Sequence, residues 1–290
     1  MENITGLTIN DVNNNVTDII QIFLFTFIII VSNIYIILVL SKRTLRSAKF
    51  TWLTVNVCFA SVIFAIMQLL SIGIRLNNIP DTSVSCHSKG FIIDMATCHI
   101  MYSHCISSLC RLFSIKYPHK PFFKSSRWLL INIGMSWFIG IFMALPLLFF
   151  DNFTCSGNYG KRFLQIYTSF STILIPVVIV ALCNIAIFRY VRQSTKRIRS
   201  ISENQTNTNQ LSQRDRKLCN IMLLTFCVFV IGWIPLFIEQ VFFTSGNRLN
   251  SGLIITFQIL PPICLLADVI VIVYSDQPVR NVFLNVFKRH

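Results

Sequence analysis

The chain has 290 residues, of which 54% are apolar and only 12% are charged, about half the charged share of a soluble protein. So much apolar side chain cannot be buried in a water-soluble globule of this size, so the composition excludes a soluble domain and indicates a membrane protein. Lys and Arg outnumber Asp and Glu by 25 to 11. Such an excess is typical of a nucleic-acid surface or of membrane topology, and its distribution along the chain decides between them.

Seven stretches of the sequence are long and apolar enough to cross a bilayer. A spanning helix needs about 20 apolar residues, because the hydrocarbon core is about 30 Å thick and a helix rises about 1.5 Å per residue. The predicted spans, numbered one to seven, are Ile19–Ser41, Phe50–Ile74, Gly90–Cys110, Trp128–Phe150, Phe163–Phe188, Leu218–Phe243 and Leu249–Ser275. Long continuous runs favour helices, whose backbone hydrogen bonds are all internal. We therefore expect an all-α membrane protein, a bundle of seven transmembrane helices.

The basic residues lie in alternate connections between these spans. None precedes Lys42, and 20 of the 25 follow spans one, three, five and seven. Because Lys and Arg are enriched in cytoplasmic loops, we expect a multi-pass membrane protein with an extracellular N-terminus and a cytoplasmic C-terminus. A nucleic-acid surface is excluded by the same distribution. Residues 1–18 would form a polar extracellular tail without a removable signal peptide, and residues 19–275 the transmembrane domain.

Three N-glycosylation sequons lie on the predicted extracellular side, at Asn3, Asn15 and Asn152. A fourth sequon, at Asn204, lies on the predicted cytoplasmic side. We expect the first three to be available for modification and the fourth to stay unmodified.

The ten cysteines show no CxxC pairing and no His/Cys spacing typical of a metal site. Only Cys86 and Cys155 lie at predicted extracellular positions, before span three and in the connection between spans four and five. A disulfide between them would hold that connection over the mouth of the bundle, where the compartment is oxidising. The alternative is two unpaired thiols.

Three acidic residues lie within the apolar spans, where a charge is costly and therefore a candidate for function. Asp94 lies about one turn into span three and Glu239 near the outer end of span six. Each could meet a ligand in the outer half of the bundle, or have a purely structural role. Asp268 lies deep in span seven, so we expect it to pair with polar groups such as Asn33 or Ser61, or to bind an ion.

Two histidines, His99 and His104, lie in span three. No acidic residue or cysteine stands at a suitable spacing to complete a metal site with them. We expect both to be hydrogen-bonded residues of the bundle, and we expect neither a metal nor another cofactor in this chain.

Short motifs at matching depths in successive spans carry a family resemblance. They are Ser32-Asn33 in span one, Leu53 to Ser61 in span two, Cys86 at 25 residues before Arg111 around span three, Trp137 and Pro146 in span four, Pro176 in span five, Phe229, Trp233 and Pro235 in span six, and Tyr274 in span seven. In this order they resemble the rhodopsin-like (class A) family of G-protein-coupled receptors, and specifically an orphan, peptide-receptor-like or chemosensory-like member. The resemblance also implies a short cytoplasmic amphipathic helix and C-terminus over residues 276–290.

The resemblance implies a receptor that converts binding of an unknown extracellular peptide or small molecule into G-protein activation through movement of span six. The implied ligand contacts are Asp94, Met95, Cys98, Trp233, Glu239 and Gln240. The implied residues of activation and coupling to a heterotrimeric G protein are Arg111, Phe229, Trp233, Pro235 and Tyr274. The implied polar residues of the bundle core are Asn33, Ser61 and Asp268.

The sequence departs from the family pattern at several places. Cys110 stands where the family has the acid that restrains Arg111, and Ile270–Val271 replace the Asn-Pro that precedes the tyrosine of span seven. Ser61 replaces the aspartate of span two, so the family's sodium pocket is not expected in its usual form.

Two other classes of protein compete with the receptor. A transporter or channel would use Asp94 and Asp268 along a permeation path, but no internal repeat of the kind that builds many transporters is evident. A non-signalling receptor-like binding protein would account for the substitutions at Cys110 and Ile270. An enzyme is not expected, because no Ser/His/Asp, HExxH or paired-carboxylate arrangement is present in an accessible stretch.

Overall fold

The computed structural model describes residues 9–47, 51–77, 83–117, 119–146, 162–201, 224–225, 227–228, 230–235, 238 and 251–275. Helices α1 to α7 correspond to the predicted spans one to seven. Their bounds are Ile9–Ser41 for α1, Thr51–Leu76 for α2, Ser83–Lys116 for α3, Ser126–Ala144 for α4 and Ser251–Ser275 for α7. Helix α5 consists of Arg162–Ser169, a π-helical turn Phe170–Leu174 and Ile175–Ile201, and the described residues between 224 and 238 are helical and belong to α6.

The prediction of an all-α membrane protein is confirmed: the described residues form helices and no strand. Four described helices are long and apolar enough to cross a membrane, namely Asn15–Ser41, Thr51–Leu76, Ser126–Ala144 and Ile166–Tyr190, and a shorter apolar helical stretch covers Ile255–Val271. Helix α3 is more polar, because its inward face carries buried Thr97, His99, Ser103 and Ser108. It is therefore the helix that brings polar groups into the interior of the bundle.

Some helix ends differ from the predicted spans. Helix α1 begins at Ile9, so residues predicted as part of the tail extend the first span as helix. Asn15, in the second predicted sequon, lies on this extension with an exposed side chain. Helix α4 ends at Ala144, so Pro146 follows this helix, although the sequence placed it inside span four. Ser125 caps the N-terminus of α4, where its hydroxyl accepts a hydrogen bond from the backbone N–H of Trp128 at 3.1 Å.

Helices α1 and α2 run antiparallel, whereas α1 and α7 run in the same direction, as do α3 and α5. The guanidinium of Arg75, in the last turn of α2, forms an ion pair with Asp18 in the first part of α1. The amide of Gln21 in α1 donates to the backbone carbonyl of Gln258 in α7 at 3.2 Å. Lys116, at the end of α3, and Arg189, in the last part of α5, line the same cavity. We call the end of the bundle that carries Lys116 and Arg189 the basic end.

One apolar cluster joins six of the helices. It comprises Phe25 and Ile28 of α1, Ala60, Phe64, Ala65 and Ile72 of α2, Ala96, Ile100 and Met101 of α3, Ile173 of α5, Trp233 of α6 and Leu265 of α7. The outward faces carry large exposed apolar side chains, such as Phe23, Leu130 and Leu182. A bundle with an apolar outer surface and polar residues inside is the arrangement that lipid requires.

Candidate functional site

The first half of α3 carries three of the predicted ligand contacts. The carboxylate of Asp94 is half-buried, and its Oδ2 is enclosed without a hydrogen-bond partner among the described residues. Met95 is half-buried, and Cys98 is fully buried. The backbone of α4 approaches this segment closely, since a Cβ added at Gly140 would lie 3.2 Å from the carbonyl oxygen of Met95. Asp94 is thus an acceptor held in the interior with hydrogen-bonding capacity to spare.

A π-helical turn in α5 faces this part of α3. In this turn the N–H of Ile175 donates to the carbonyl of Phe170, five residues earlier. Pro176 has no N–H to continue the π register, so the carbonyl of Ser171 is left for a side-chain donor. The hydroxyl of Tyr102 in α3 donates to that carbonyl at 2.9 Å. The irregular turn therefore creates a direct hydrogen bond between α3 and α5.

Two cysteines of α3 extend this contact. The Sγ of Cys98 lies 3.3 Å from the Oγ1 of Thr172, and the Sγ of Cys105 donates to the carbonyl of Pro176 at 3.5 Å. Cys98 is consequently directed at the π-helical turn. Any group that enters beside Cys98 would press on the one segment of α5 whose backbone hydrogen bonds are irregular.

Trp233 of α6 is buried in the apolar cluster that joins the helices. The residue before it, Gly232, permits a very close approach of α6 to α7, since a Cβ at Gly232 would lie only 2.5 Å from the Cβ of Cys264. Pro235, two residues after Trp233, is half-buried in helical backbone. This close approach is a physical reason for a glycine at position 232.

A polar network ties α3 to α2 and α4. The side-chain amide of Asn56 donates to Ser103 Oγ at 3.1 Å and to Ser136 Oγ at 3.5 Å, and the indole N–H of Trp137 donates to Asn56 Oδ1 at 3.0 Å. His99 stacks on the Trp137 ring with centroids 3.9 Å apart. Its Nε2 lies 3.5 Å from Ser103 Oγ. His99 is thus a packed and hydrogen-bonded bundle residue, as predicted.

Asp268 contacts His104, and not the polar groups that the sequence suggested. The Oδ2 of Asp268 lies 3.0 Å from the Nε2 of His104, which joins α7 to α3. Asn33 donates instead to the carbonyl of Ile29, and Ser61 to the carbonyl of Val57, each within its own helix. In a membrane helix, a short polar side chain often forms its hydrogen bond with a backbone carbonyl one turn earlier in the same helix. Asp268 therefore pairs with another polar group, as expected, but the suggested partners Asn33 and Ser61 were wrong.

Arg111 lies near the basic end of α3 with a half-buried side chain. Its neighbour Cys110 is buried in an apolar cluster with Leu53, Ile106 and Leu129. The position of the family's acid is therefore occupied by an apolar contact between α2, α3 and α4. No carboxylate in the described part of the chain forms an ion pair with Arg111. Tyr274, at the end of α7, has an exposed fraction of 68%.

Cys86, in the first turn of α3, is disulfide-bonded, whereas the other seven cysteines of the described residues are free. Its partner therefore lies outside the described residues, as Cys155 does, and the pairing with Cys155 stays a prediction. The remaining predicted site residues outside the described part are Phe229, Glu239, Gln240, Asn3 and Asn152, together with the helix over residues 276–290.

Sequence reasoning missed Tyr102, Ser171 and Thr172, which join α3 to the irregular turn of α5. Pro176 was a usable signal, because a proline inside a helix always leaves a backbone carbonyl for another donor. The pairing of His104 with Asp268 had a weaker signal: both are ionisable groups deep in apolar spans, and such groups tend to pair with one another.

One comparison with known proteins identifies a family. The sequence model described as "7 transmembrane receptor (rhodopsin family)" matches residues 18–266. A search of curated proteins returns no match. The match begins within α1 and ends within α7, so it includes all the helices between them. Asp94, Trp233 and the Asn56 network lie inside the matched residues.

Proposed function

Because the chain belongs to the rhodopsin family of seven-transmembrane receptors, we propose that it converts binding of an extracellular ligand into activation of a heterotrimeric G protein. The chain is a multi-pass membrane protein, and members of this family signal through G proteins. Such receptors are normally not enzymes. The family match is the observation that carries the proposal, and the geometry described above supplies its mechanism.

We propose that the basic end faces the cytoplasm and that the N-terminus is extracellular. The described residues on the basic end include Lys42, Arg43, Arg46, Arg111, Lys116, Lys120, Arg127, Arg189 and Arg192. The described basic residues at the opposite end are Arg75, Lys89 and Arg162. The charge difference supports this orientation through the positive-inside rule, and it supports a plasma-membrane receptor whose C-terminal segment is cytoplasmic.

We propose that the ligand enters between α3, α5 and α6. Asp94 and Met95 would contact it, together with Glu239 and Gln240 near the outer end of predicted span six, and a disulfide from Cys86 to Cys155 would hold the covering loop. The unpartnered Oδ2 of Asp94 supports this role, because an enclosed acceptor without a partner gains most from a donor on a ligand. A peptide or a small molecule with an amine, amidine or hydroxyl donor fits this chemistry.

Ligand binding would change the bundle through Cys98 and Trp233. Cys98 contacts the π-helical turn at Thr172, and Ile173 of the same turn lies in the apolar cluster with Trp233. A ligand that displaces this turn would therefore alter the packing of α6 on α7. A ligand shifts such an equilibrium only if it binds one of the two packings more tightly. Movement of α6, for which the sequence implicates Phe229 and Pro235, would then open the basic end to the G protein.

The decisive experiment is nucleotide exchange on purified G proteins by the full chain in lipid nanodiscs, while ligand libraries are screened. We expect at least one ligand to accelerate exchange, and Asp94→Asn to weaken the response to ligands that carry a cationic donor. Met135→Leu, on the exposed face of α4, is a control that should respond as the wild type does. Ligand binding without exchange on any G-protein class would favour the non-signalling binding protein, and ligand-dependent ion flux would favour a channel.

A non-signalling binding protein is the second candidate. It is favoured by Cys110, which fills an apolar cluster where the family has the acid beside Arg111. The signalling proposal explains the same residue differently: without that acid, Arg111 is less restrained and basal activity is raised. The two accounts therefore differ in whether any exchange occurs without ligand.

A further inference from the structure

A cavity lies between the ends of α3 and α5 at the basic end. Its volume is about 230 Å³, and it is lined by Leu112, Lys116, Ala186, Arg189, Tyr190 and Gln193. From this cavity we propose that the chain binds the headgroup of an anionic phospholipid of the cytoplasmic leaflet here, with the acyl chains along α5. The proposal relies on the orientation given above but not on ligand recognition or signalling.

The two helices change character at the same depth. In α3, apolar Leu112 is followed one turn later by Lys116, and in α5 apolar Ala186 is followed one turn later by Arg189 and Tyr190. One turn of helix advances about 5.4 Å, so the transition from apolar to cationic lining occurs within a few ångströms on both sides. A phospholipid has the same transition between its acyl chains and its phosphate.

The cavity continues into a lipid-facing stripe. Leu182, four residues before Ala186, is among the most exposed apolar residues of α5. Residues four apart lie on one face of a helix, so Leu182, Ala186, Tyr190 and Gln193 form one stripe along α5. The apolar part of that stripe can cover an acyl chain, and Tyr190 stands where aromatic side chains meet lipid headgroups.

Among the described residues, no carboxylate forms an ion pair with the cations that line the cavity. The sequence has no Asp or Glu between Met95 and Phe150, or between Asn152 and Ser202, the segments that contain α3 beyond Asp94, α4 and α5. The ion pairs that the described residues form involve Arg75 and His104, neither of which lines the cavity. Lys116 is instead held with its Nζ over the ring of Tyr117, 5.4 Å from the centroid. Lys116 and Arg189 therefore both remain available to a phosphate.

The cavity is lined by hydrogen-bond donors of four kinds, namely the side chains of Lys116, Arg189, Gln193 and Tyr190. A phosphorylated headgroup is compact, and its oxygens accept hydrogen bonds from guanidinium, ammonium, amide and phenol donors together.

The test is native mass spectrometry of the full chain in detergent, with dioleoyl phosphatidylinositol 4-phosphate or dioleoyl phosphatidylcholine added. We expect selective retention of the anionic lipid. We expect K116Q/R189Q to weaken retention about 25-fold, since each basic residue near an anionic surface contributes about fivefold. The matched control K120Q/R192Q removes the same charge from exposed residues outside the cavity and should retain most of the binding. Equal loss in both double variants would overturn the proposal.

Three further measurements test lipid binding at the cavity. Ala186→Trp fills the cavity without changing charge, so it should also reduce retention, even if K116Q/R189Q is poorly folded by its melting curve. Free inositol 1,4-bisphosphate should compete weakly, because it lacks acyl chains, and full competition at equal concentration would identify a soluble phosphate instead. If K116Q/R189Q abolishes nucleotide exchange in lipid-free detergent while lipid retention is unchanged, the patch belongs to the G protein and the proposal fails.

Discussion

The Nε2 of His104 in α3 lies 3.0 Å from the Oδ2 of Asp268 in α7, and the two side chains are only 14% and 4% exposed. Ionisable groups this deep in a membrane bundle are costly unless they pair. The second oxygen of Asp268, Oδ1, is enclosed without a partner among the described residues. The pair therefore links α3 to α7 in the transmembrane core, and the contact is lost if either side chain is removed.

We expect His104→Leu or Asp268→Leu to destabilise the bundle more than the double replacement does. Removing one partner of a buried pair leaves the other uncompensated, which costs about 3–5 kcal/mol in soluble proteins, whereas replacing both by apolar residues is often neutral. Thermal melting of the purified receptor in detergent measures this. Each single variant should melt several degrees lower, and the double variant should recover most of the loss. Additive effects would show that the two groups do not interact.

We expect Gly232→Ala to weaken the packing of α6 on α7. The added Cβ would lie 2.5 Å from the Cβ of Cys264, so the helices must separate. Overpacking of this kind typically costs about 1–3 kcal/mol. Gly134→Ala is the matched control, because nothing lies within 4 Å of a Cβ built there, and it should leave the melting temperature unchanged or raise it. Adding Cys264→Gly to Gly232→Ala should restore part of the stability, and failure to do so would contradict the assigned contact.

We expect Tyr102→Phe to loosen the π-helical turn of α5. The change removes the hydrogen bond to the carbonyl of Ser171 at 2.9 Å and leaves that buried acceptor without this donor, at a cost of about 1–3 kcal/mol. Tyr167→Phe serves for comparison, because its hydroxyl makes a longer bond of 3.3 Å to Met143 on a less buried site. Hydrogen exchange of the amides of residues 170–175 should rise in Tyr102→Phe. Equal rates in the two variants would show that the bond does not stabilise the turn.

We expect Cys110→Asp to lower ligand-independent nucleotide exchange. A carboxylate next to Arg111 would restrain the guanidinium by charge attraction, at the expense of the apolar contacts with Leu53 and Leu129. Cys110→Asn is the control, because it has the same size and polarity but no charge. Exchange that falls in Cys110→Asp alone supports restraint through charge. A similar fall in both variants would indicate damage to the apolar cluster, and undetectable exchange in the wild type would favour the non-signalling protein.

The buried ionisable residues of α3 and α7 show which features a sequence pattern predicts and which it does not. That His99 and Asp268 lie inside the bundle follows from their depth in apolar spans, and the structure agrees. Which groups they contact does not follow, because the rotation of each helix about its axis and its height relative to its neighbours are set by side-chain packing over the whole bundle. Asn33 and Ser61, plausible partners for Asp268, bind their own helices instead.

Pro176 makes the same point for α5. Its lack of an N–H requires some departure from regular α-helical bonding, and that much can be deduced from the residue. A π-helical turn, and the use of the released carbonyl by Tyr102, depend on α3 standing at the right distance to provide a donor.

By itself the sequence determined that the chain lies in a lipid bilayer, how many helices cross it, and that the basic residues lie in alternate connections. These follow from the local balance of apolar and charged residues along about 20-residue segments, each of which a bilayer reads independently. The tertiary structure alone decided the contacts between helices: His104 with Asp268, Gly232 against Cys264, Tyr102 on the turn of α5, and the cavity between Lys116 and Arg189. Lipid provides no hydrophobic force to order the helices among themselves, so close packing and interhelical hydrogen bonds decide, and these depend on all the helices together.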